Sequence, residues 1–251
     1  MPTSSETVSQ ALVAAYRGRS LVKGAELPAL ATIADGLAAQ AAISRALGVE
    51  PKGWKVGVAE DGTPVAAAMP GPWLEPGDEY EGAPGADIRI EIELGLRLSQ
   101  DLPVRPGRPY SRAEILDHCD RVFLGIEIVE SRFSDWRAEI AFPVRLADSL
   151  AHGGFLIGPE LSPKTLDQLS DLSCFIAQEG TALYDKPAVH PNGDPIAPVL
   201  AWANRSEDTL GPLRAGQVIT TGSLCGGVLA PGKGDVVAAL RPLSSVSLTL
   251  R

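Results

Sequence analysis

Between Ile88 and Leu98 the chain alternates without a break, with Ile88, Ile90, Ile92, Leu94, Leu96 and Leu98 separated by Arg89, Glu91, Glu93, Gly95 and Arg97. Period-2 alternation predicts a strand whose aliphatic side meets a core and whose other side carries Glu91 and Glu93 together, their Cα atoms about 7 Å apart. Taken alone, this is also how the polar side of a half-buried sheet reads.

Upstream the period changes. Thr3 and Glu6 have capping-box spacing, and Val8, Leu12, Ala15 and Tyr16 recur at helical intervals before Gly18, which predicts a first helix. A second is predicted from Asp35 to Leu47, Ala-rich and ended by Gly48 with Pro51 just beyond. From Gly53 the chain breaks into short β-like runs between Gly and Pro, among them "GWKVGVA", "VFLGIEIVESRF", "GGFLIG", "SCFIAQEG", "QVITTGSLCGGVLA" and "SVSLTL". Two helices interrupt them. Ser111 and Glu114 box one, carrying Ile115, Cys119 and Val122, and the other lies around Pro195 to Ala203. The expected class is α+β, with a helical N-terminal segment over 1–52 and a mixed, largely antiparallel β core over 53–251, rather than a doubly wound βαβ fold.

Composition narrows the partners. The chain has 251 residues, 45% of them hydrophobic, enough for a substantial core. A formal charge of -9 with no local Lys/Arg cluster disfavours nucleic acid and anionic membranes, and makes a carboxylate cluster more apt to hold a cation than an anion. Cys119, Cys174 and Cys225 are odd in number, widely spaced and free of any C-x-x-C, so neither a disulfide framework nor a zinc knuckle is indicated. With no signal-like start and no apolar run near the roughly 20 residues of a membrane span, a cytoplasmic location is expected.

The run "GIEIVESR", Gly125 to Arg132, repeats the odd arrangement by placing Glu127 between Ile126 and Ile128. If its strand neighbours the first, Glu127 joins Glu91 and Glu93 as three oxygen ligands suited to Mg²⁺ or Mn²⁺; otherwise it is one more exposed strand residue. Lys55, between the glycines of "GWKVG", is either a solvated lysine or a cation beside a substrate oxygen. His118, His152 and His190 form no H-E-x-x-H, and Ser131 and Ser223 lie in no G-x-S-x-G. His118 reads as a helix-face residue, while His152 precedes Gly153-Gly154 in a polar loop.

Together "GWKVG", "IRIEIELGLRL", "GIEIVESRFSDW", "ADSLAHGGFLIG" and "VITTGSL" resemble, in order and spacing, the blocks of the 2-keto-4-pentenoate hydratase and 4-oxalocrotonate decarboxylase group of the fumarylacetoacetate hydrolase-like superfamily. The resemblance implies that fold type for the β core, a homo-oligomer, and a small-molecule 2-keto acid or dienol as substrate. It also implies Glu91, Glu93 and Glu127 as ligands of Mg²⁺ or Mn²⁺, Lys55 as the active-site lysine, and Thr221-Gly222-Ser223 as a substrate-side segment. The family's A-D-N-A-S-S-G reads Ala147-Asp148-Ser149-Leu150-Ala151-His152-Gly153 here, its preceding D-T reads Val144-Arg145, and its P-D-F-G stretch aligns with Pro64-Val65-Ala66-Ala67, which has no carboxylate. Asp148 and His152 are the nearest candidates to replace that acid. The expected reaction is metal-dependent hydration of a 2-hydroxy-2,4-dienoate to a 4-hydroxy-2-oxo acid. The alternatives are decarboxylation, acylpyruvate C–C hydrolysis, or a non-catalytic subunit working with a family decarboxylase.

Overall fold

The computed structural model describes residues 2–136, 140–206 and 210–251. Helix α1 (Ser4–Gly18) starts at the Thr3/Glu6 capping box, as the spacing predicts, and buries Val8, Leu12 and Ala15. Helix α2 (Ile33–Leu47) begins earlier than predicted, because Thr32 caps it in a second box with Asp35. Gly36 of α2 lies so close to Pro143 that a Cβ there would stand 2.5 Å from its carbonyl oxygen. The N-terminal helices are thereby knit onto the later chain.

The remaining elements are β1 (Gly53–Val58), β2 (Pro64–Ala68), β3 (Trp73–Leu74), β4 (Glu79–Tyr80), β5 (Ile88–Leu98), α3 (Arg112–Asp117), β6 (Cys119–Glu130), α4 (Phe142–Ala147), β7 (His152–Leu161), β8 (Ser173–Gln178), β9 (Thr181–Pro187), α5 (Ile196–Ala203), β10 (Val218–Ser223), β11 (Val228–Ala230), β12 (Gly234–Arg241) and β13 (Ser244–Leu250). The predicted third helix is shorter than its apolar spacing suggested. The chain leaves it at His118, so Cys119 and Val122 belong to β6 instead.

Among the described residues the strands form two sheets, ordered β2-β1-β10-β5-β6-β7-β3 with β11 also on β5, and β4-β13-β12-β8-β9. Pairing is mixed and largely antiparallel, with parallel contacts at β1–β10, β3–β7 and β4–β13. Ile90, Ile92, Leu94, Leu96 and Leu98 share one core with Val236, Ala238 and Leu240 of β12 and Val246, Leu248 and Leu250 of β13. That core fixes which face of β5 is left for Glu91 and Glu93.

The opposite face of the larger sheet is floored by aromatic rings lying over glycines. A Cβ on Gly95 would stand 2.3 Å from the Phe123 ring, and one on Gly125 would stand 2.4 Å from the Phe155 ring. Phe123 and Phe155 meet edge to face at 6.4 Å. Gly125→Ala is therefore expected to push Phe155 off the strand and cost about 1–3 kcal/mol, the usual cost of overpacking. Thermal melting checks this, and an unchanged Tm would mean that the ring yields freely.

Candidate active site

Cross-strand register brings the acidic residues together. Glu91 of β5 stands directly opposite Glu127 of β6, with Glu93 opposite Gly125. On the other side of β5, β10 places Thr220 opposite Gly95, and β1 then places Lys55 beside Thr220. One carboxylate oxygen from each of Glu91, Glu93 and Glu127 lies within 4.8 Å of the other two. All three carry a side chain from the same sheet face, because the aliphatic alternation that buries the other face permits no alternative.

Lys55 crosses the cluster. Its Nζ donates to Glu127 Oε1 at 2.8 Å and to the Leu150 carbonyl at 2.9 Å. Glu127 is fully buried, and its Oε1 also accepts from His152 Nδ1 at 3.1 Å. Since a carboxylate only accepts, Nδ1 carries the imidazole proton and Nε2 keeps its lone pair, buried and without a hydrogen-bond partner. Burial, reinforced by the Lys55 and Arg132 charges, holds His152 well below the ordinary histidine value, so it is neutral. Glu93 Oε2 accepts from the Gly222 N–H at 3.2 Å.

The electrostatics are those of too many negative groups for one cation. Burial, followed by repulsion from Glu127, pushes Glu91 up to about 8 and Glu93 up to about 7, and burial raises Glu127 even against Lys55. Burial opposes the charged form of Lys55, yet Glu127, Glu91 and Glu93 together hold it above its ordinary value. Glu127 Oε2 is buried with no hydrogen-bond partner. An unsatisfied inner carboxylate oxygen, within reach of two more carboxylates, fits a hard divalent cation that takes oxygen ligands.

A pH dependence follows. Folded Glu91 and Glu93 retain protons that ordinary carboxyls, at about 4.3, give up in the unfolded chain. Their contribution to stability is full below that value and is lost as pH rises through about 7 to about 8. In chelator, Tm is thus expected to fall by several degrees between pH 5 and pH 8. Saturating Mg²⁺, which competes with those protons, should flatten or reverse the trend.

The segment carrying the Leu150 carbonyl is unusual. Ser149, Leu150 and Ala151 have φ of 50°, 50° and 60°, three consecutive non-glycine residues in the left-handed region, where each costs about 1–2 kcal/mol. Arg132 holds the segment at both ends. Its Nε donates to Asp148 Oδ1 at 2.6 Å, its Nη2 to the Asp148 carbonyl at 3.0 Å and its Nη1 to the His152 carbonyl at 2.6 Å. The Arg132 backbone N–H takes the other Asp148 oxygen at 3.1 Å. Asp148 is thus buried beneath the segment and committed to Arg132, while His152 lies against Glu127 itself.

The β10 segment divides similarly. Gly222 reaches Glu93, but the Thr221 hydroxyl donates to the Leu94 carbonyl and the Ser223 hydroxyl accepts from the Cys225 N–H. The residue facing the cluster is Thr220, whose hydroxyl is buried with no hydrogen-bond partner. Sequence reasoning passed over Thr220 because the pairing slips between Thr220 and Ser223, and such a slip changes which residues share a face. It also passed over Arg132, whose one mark was its place at the end of "GIEIVESR".

No protein-family model matches the chain. It is 34% identical over 150 residues to 2-keto-4-pentenoate hydratase of Paraburkholderia xenovorans (strain LB400), a match covering 59% of this chain and 53% of that protein. It is 32% identical over 138 residues to 2-hydroxyhexa-2,4-dienoate hydratase of Comamonas testosteroni, covering 54% and 50% respectively. The chain spans about half the length of the curated relatives it matches. In fold it is similar to 4-oxalocrotonate decarboxylase from Pseudomonas putida G7, solved with magnesium and adipate, with a TM-score of 0.78 at 19% identity over 97% of this chain and 96% of that chain.

Proposed function

We propose that this chain, related in sequence to the 2-keto-4-pentenoate hydratases and similar in fold to 4-oxalocrotonate decarboxylase, is a divalent-metal-dependent hydratase of a 2-hydroxy-2,4-dienoate. The observation that carries the reading is the convergence of Glu91, Glu93 and Glu127 within 4.8 Å, with Lys55 lying on Glu127. Mg²⁺ or Mn²⁺ held by those three carboxylates would supply a Lewis acid for the oxygens of a 2-oxo acid.

The chain's own groups do the rest. Two of the three N–H donors of Lys55 are spent on Glu127 and the Leu150 carbonyl, which fixes Nζ and leaves one donor for a substrate oxygen that gains negative charge. His152 orients Glu127 through Nδ1, and its Nε2 lone pair is a buried proton acceptor beside the cluster. Asp148 acts through Arg132, holding the left-handed segment whose carbonyl aims Lys55. The Gly222 N–H steadies Glu93. The fumarylacetoacetate hydrolase-type core, a homo-oligomeric assembly and a cytoplasmic location belong to the same reading. Among the described residues no helix is long and apolar enough to cross a membrane.

A panel of 2-hydroxydienoates and acylpyruvates, followed by ultraviolet loss with and without Mg²⁺ and by NMR of the products, tests this. The expected result is Mg²⁺-dependent loss of a dienoate giving a 4-hydroxy-2-oxo acid. Release of CO₂ or of a second acid would instead assign decarboxylation or C–C hydrolysis to the same site.

A further inference from the structure

Beside the cation ligands, the partner of β5 changes from one strand to another. β10 runs along β5 as far as Ser223 opposite Glu93, and β11 resumes at Val228 opposite Ile90, so Glu91 and Ile92 fall between the two. Leu224 N–H donates to the Ile92 carbonyl at 2.8 Å, but the Ile92 N–H donates to Cys225 Sγ at 3.4 Å instead of to a carbonyl. A sulfur is a weak acceptor, so the ladder is weakly held at the residue between two of the three ligands. Gly226, with φ of 68°, and Gly227 complete the turn, and a Cβ on Gly227 would stand 3.3 Å from Glu91 Oε1.

A second cysteine lies behind the first. Cys174 of β8 is fully buried in the core, and Cys225 packs against that core from a half-buried position. Cys174 Sγ donates to the Leu224 carbonyl at 3.7 Å, which sets it against the peptide bond leading into Cys225. Each thiol is the first influence on the acidity of the other. Cys225 pushes Cys174 up, and Cys174, followed by the Ile92 N–H, holds Cys225 down against its burial. Cys119 stands apart, opposite Leu98 at the far end of β5, with its Sγ on the Ile115 carbonyl at 3.2 Å. A half-buried thiol backed by a fully buried one suits a reactive cysteine and its resolving partner.

We propose that Cys174 and Cys225 are joined reversibly by hydrogen peroxide, and that the bond loosens the cation site. The Cys225 thiolate attacks the peroxide: an S–O bond forms, the O–O bond breaks, and the departing oxygen takes up a proton and leaves as water. The Cys174 sulfur then attacks the resulting sulfenic acid; the S–S bond forms, the S–O bond breaks, and the second oxygen leaves as water. The two thiols together give up two electrons, and the peroxide is reduced to two waters. The bond draws Cys225 Sγ toward β8 and off the Ile92 N–H, disturbing the turn that places the Gly222 N–H on Glu93 and Gly227 against Glu91. The disulfide stands on the placement of the two cysteines alone, while its effect on the cation rests on the metal-dependent reading above.

Peroxide treatment of the wild type is expected to leave one titratable thiol of the three, to join the peptides carrying Cys174 and Cys225 in mass spectra, and to be reversed by dithiothreitol. Because a disulfide alters melting by itself, the metal readout is the difference in Tm between Mg²⁺ and chelator. Most of that difference should vanish on oxidation and return on reduction. In Cys225→Ser, whose hydroxyl still offers Ile92 an acceptor, the difference should survive peroxide. Cys174→Ala serves as the second variant if Cys225→Ser does not fold, and it should form no internal bond. Three thiols still titratable after peroxide, or a bond that engages Cys119, would overturn the pair. A bond between Cys174 and Cys225 that leaves the Mg²⁺ difference intact would overturn its effect on the cation site while leaving that site standing. A reduced wild type with no Mg²⁺ difference would overturn the metal-dependent reading, with the thiol count still deciding the bond.

Discussion

Lys55→Met lowers turnover by about 10²–10³-fold, the usual loss when one fixed donor to a developing oxyanion is removed. The ammonium is held by Glu127 and the Leu150 carbonyl, and its side chain is 13% exposed, so no water replaces it in the same place. The substitution also has a stability signature. Breaking a buried ion pair costs up to about 3–5 kcal/mol, and here the loss is smaller to the extent that Glu91, Glu93 or Glu127 takes up a proton. Metal-free Lys55→Met should therefore melt below wild type, and Mg²⁺ should restore more of its stability than it adds to wild type, because a competing cation has gone. Near-normal turnover, or a Tm unchanged in chelator, would return Lys55 to the role of a solvated lysine.

Much of this site could be read from residue pattern alone. The alternation from Ile88 to Leu98 has one physical solution, so Glu91 and Glu93 had to share a face, and the repeat at Ile126-Glu127-Ile128 needed only neighbouring strands to complete the cluster. Apolar spacing was ambiguous where two periods coincide. Ile115, Cys119 and Val122 suit a helix, yet the chain turns at His118 and makes the last two part of a strand. Helix α4 was missed because six residues with Pro143 in the first turn show no period at all.

The supports of the site were harder to see than its ligands. Arg132 and Asp148 are 16 residues apart along the chain and meet just beyond the ends of β6 and α4. The left-handed backbone at Ser149, Leu150 and Ala151 carries no glycine to announce it, so the strain is visible only in three dimensions. Thr220 and Thr221 are equivalent on paper, and an irregularity in strand pairing decides which faces Glu93.

That Glu91, Glu93 and Glu127 form one cation site has a consequence with a sign. Three clustered carboxylates, Glu93 and Glu127 buried and Glu91 partly so, repel one another when no cation is present, so Glu91→Gln and Glu93→Gln should leave Tm in chelator unchanged or higher. Glu127→Gln should gain less, since it also gives up the contacts of Lys55 and His152. With metal the order reverses. At a concentration of 100 times Kd the ion adds about 2.7 kcal/mol to the wild type, or about 5–10 °C for a chain of this size, and each substitution should lose most of that gain.

Glu114→Gln, whose carboxylate is committed to Ser111 in the α3 capping box, should keep the whole metal gain and controls for a general effect of removing a carboxylate. The most direct test is the Mg²⁺-dependent rise in Tm of Glu127→Gln measured beside wild type, because Glu127 comes from a different strand than the other two. The account predicts a clear rise in wild type and little or none in the variant. A wild type that melts identically in Mg²⁺ and chelator, or a Glu127→Gln protein with the full rise, would contradict it.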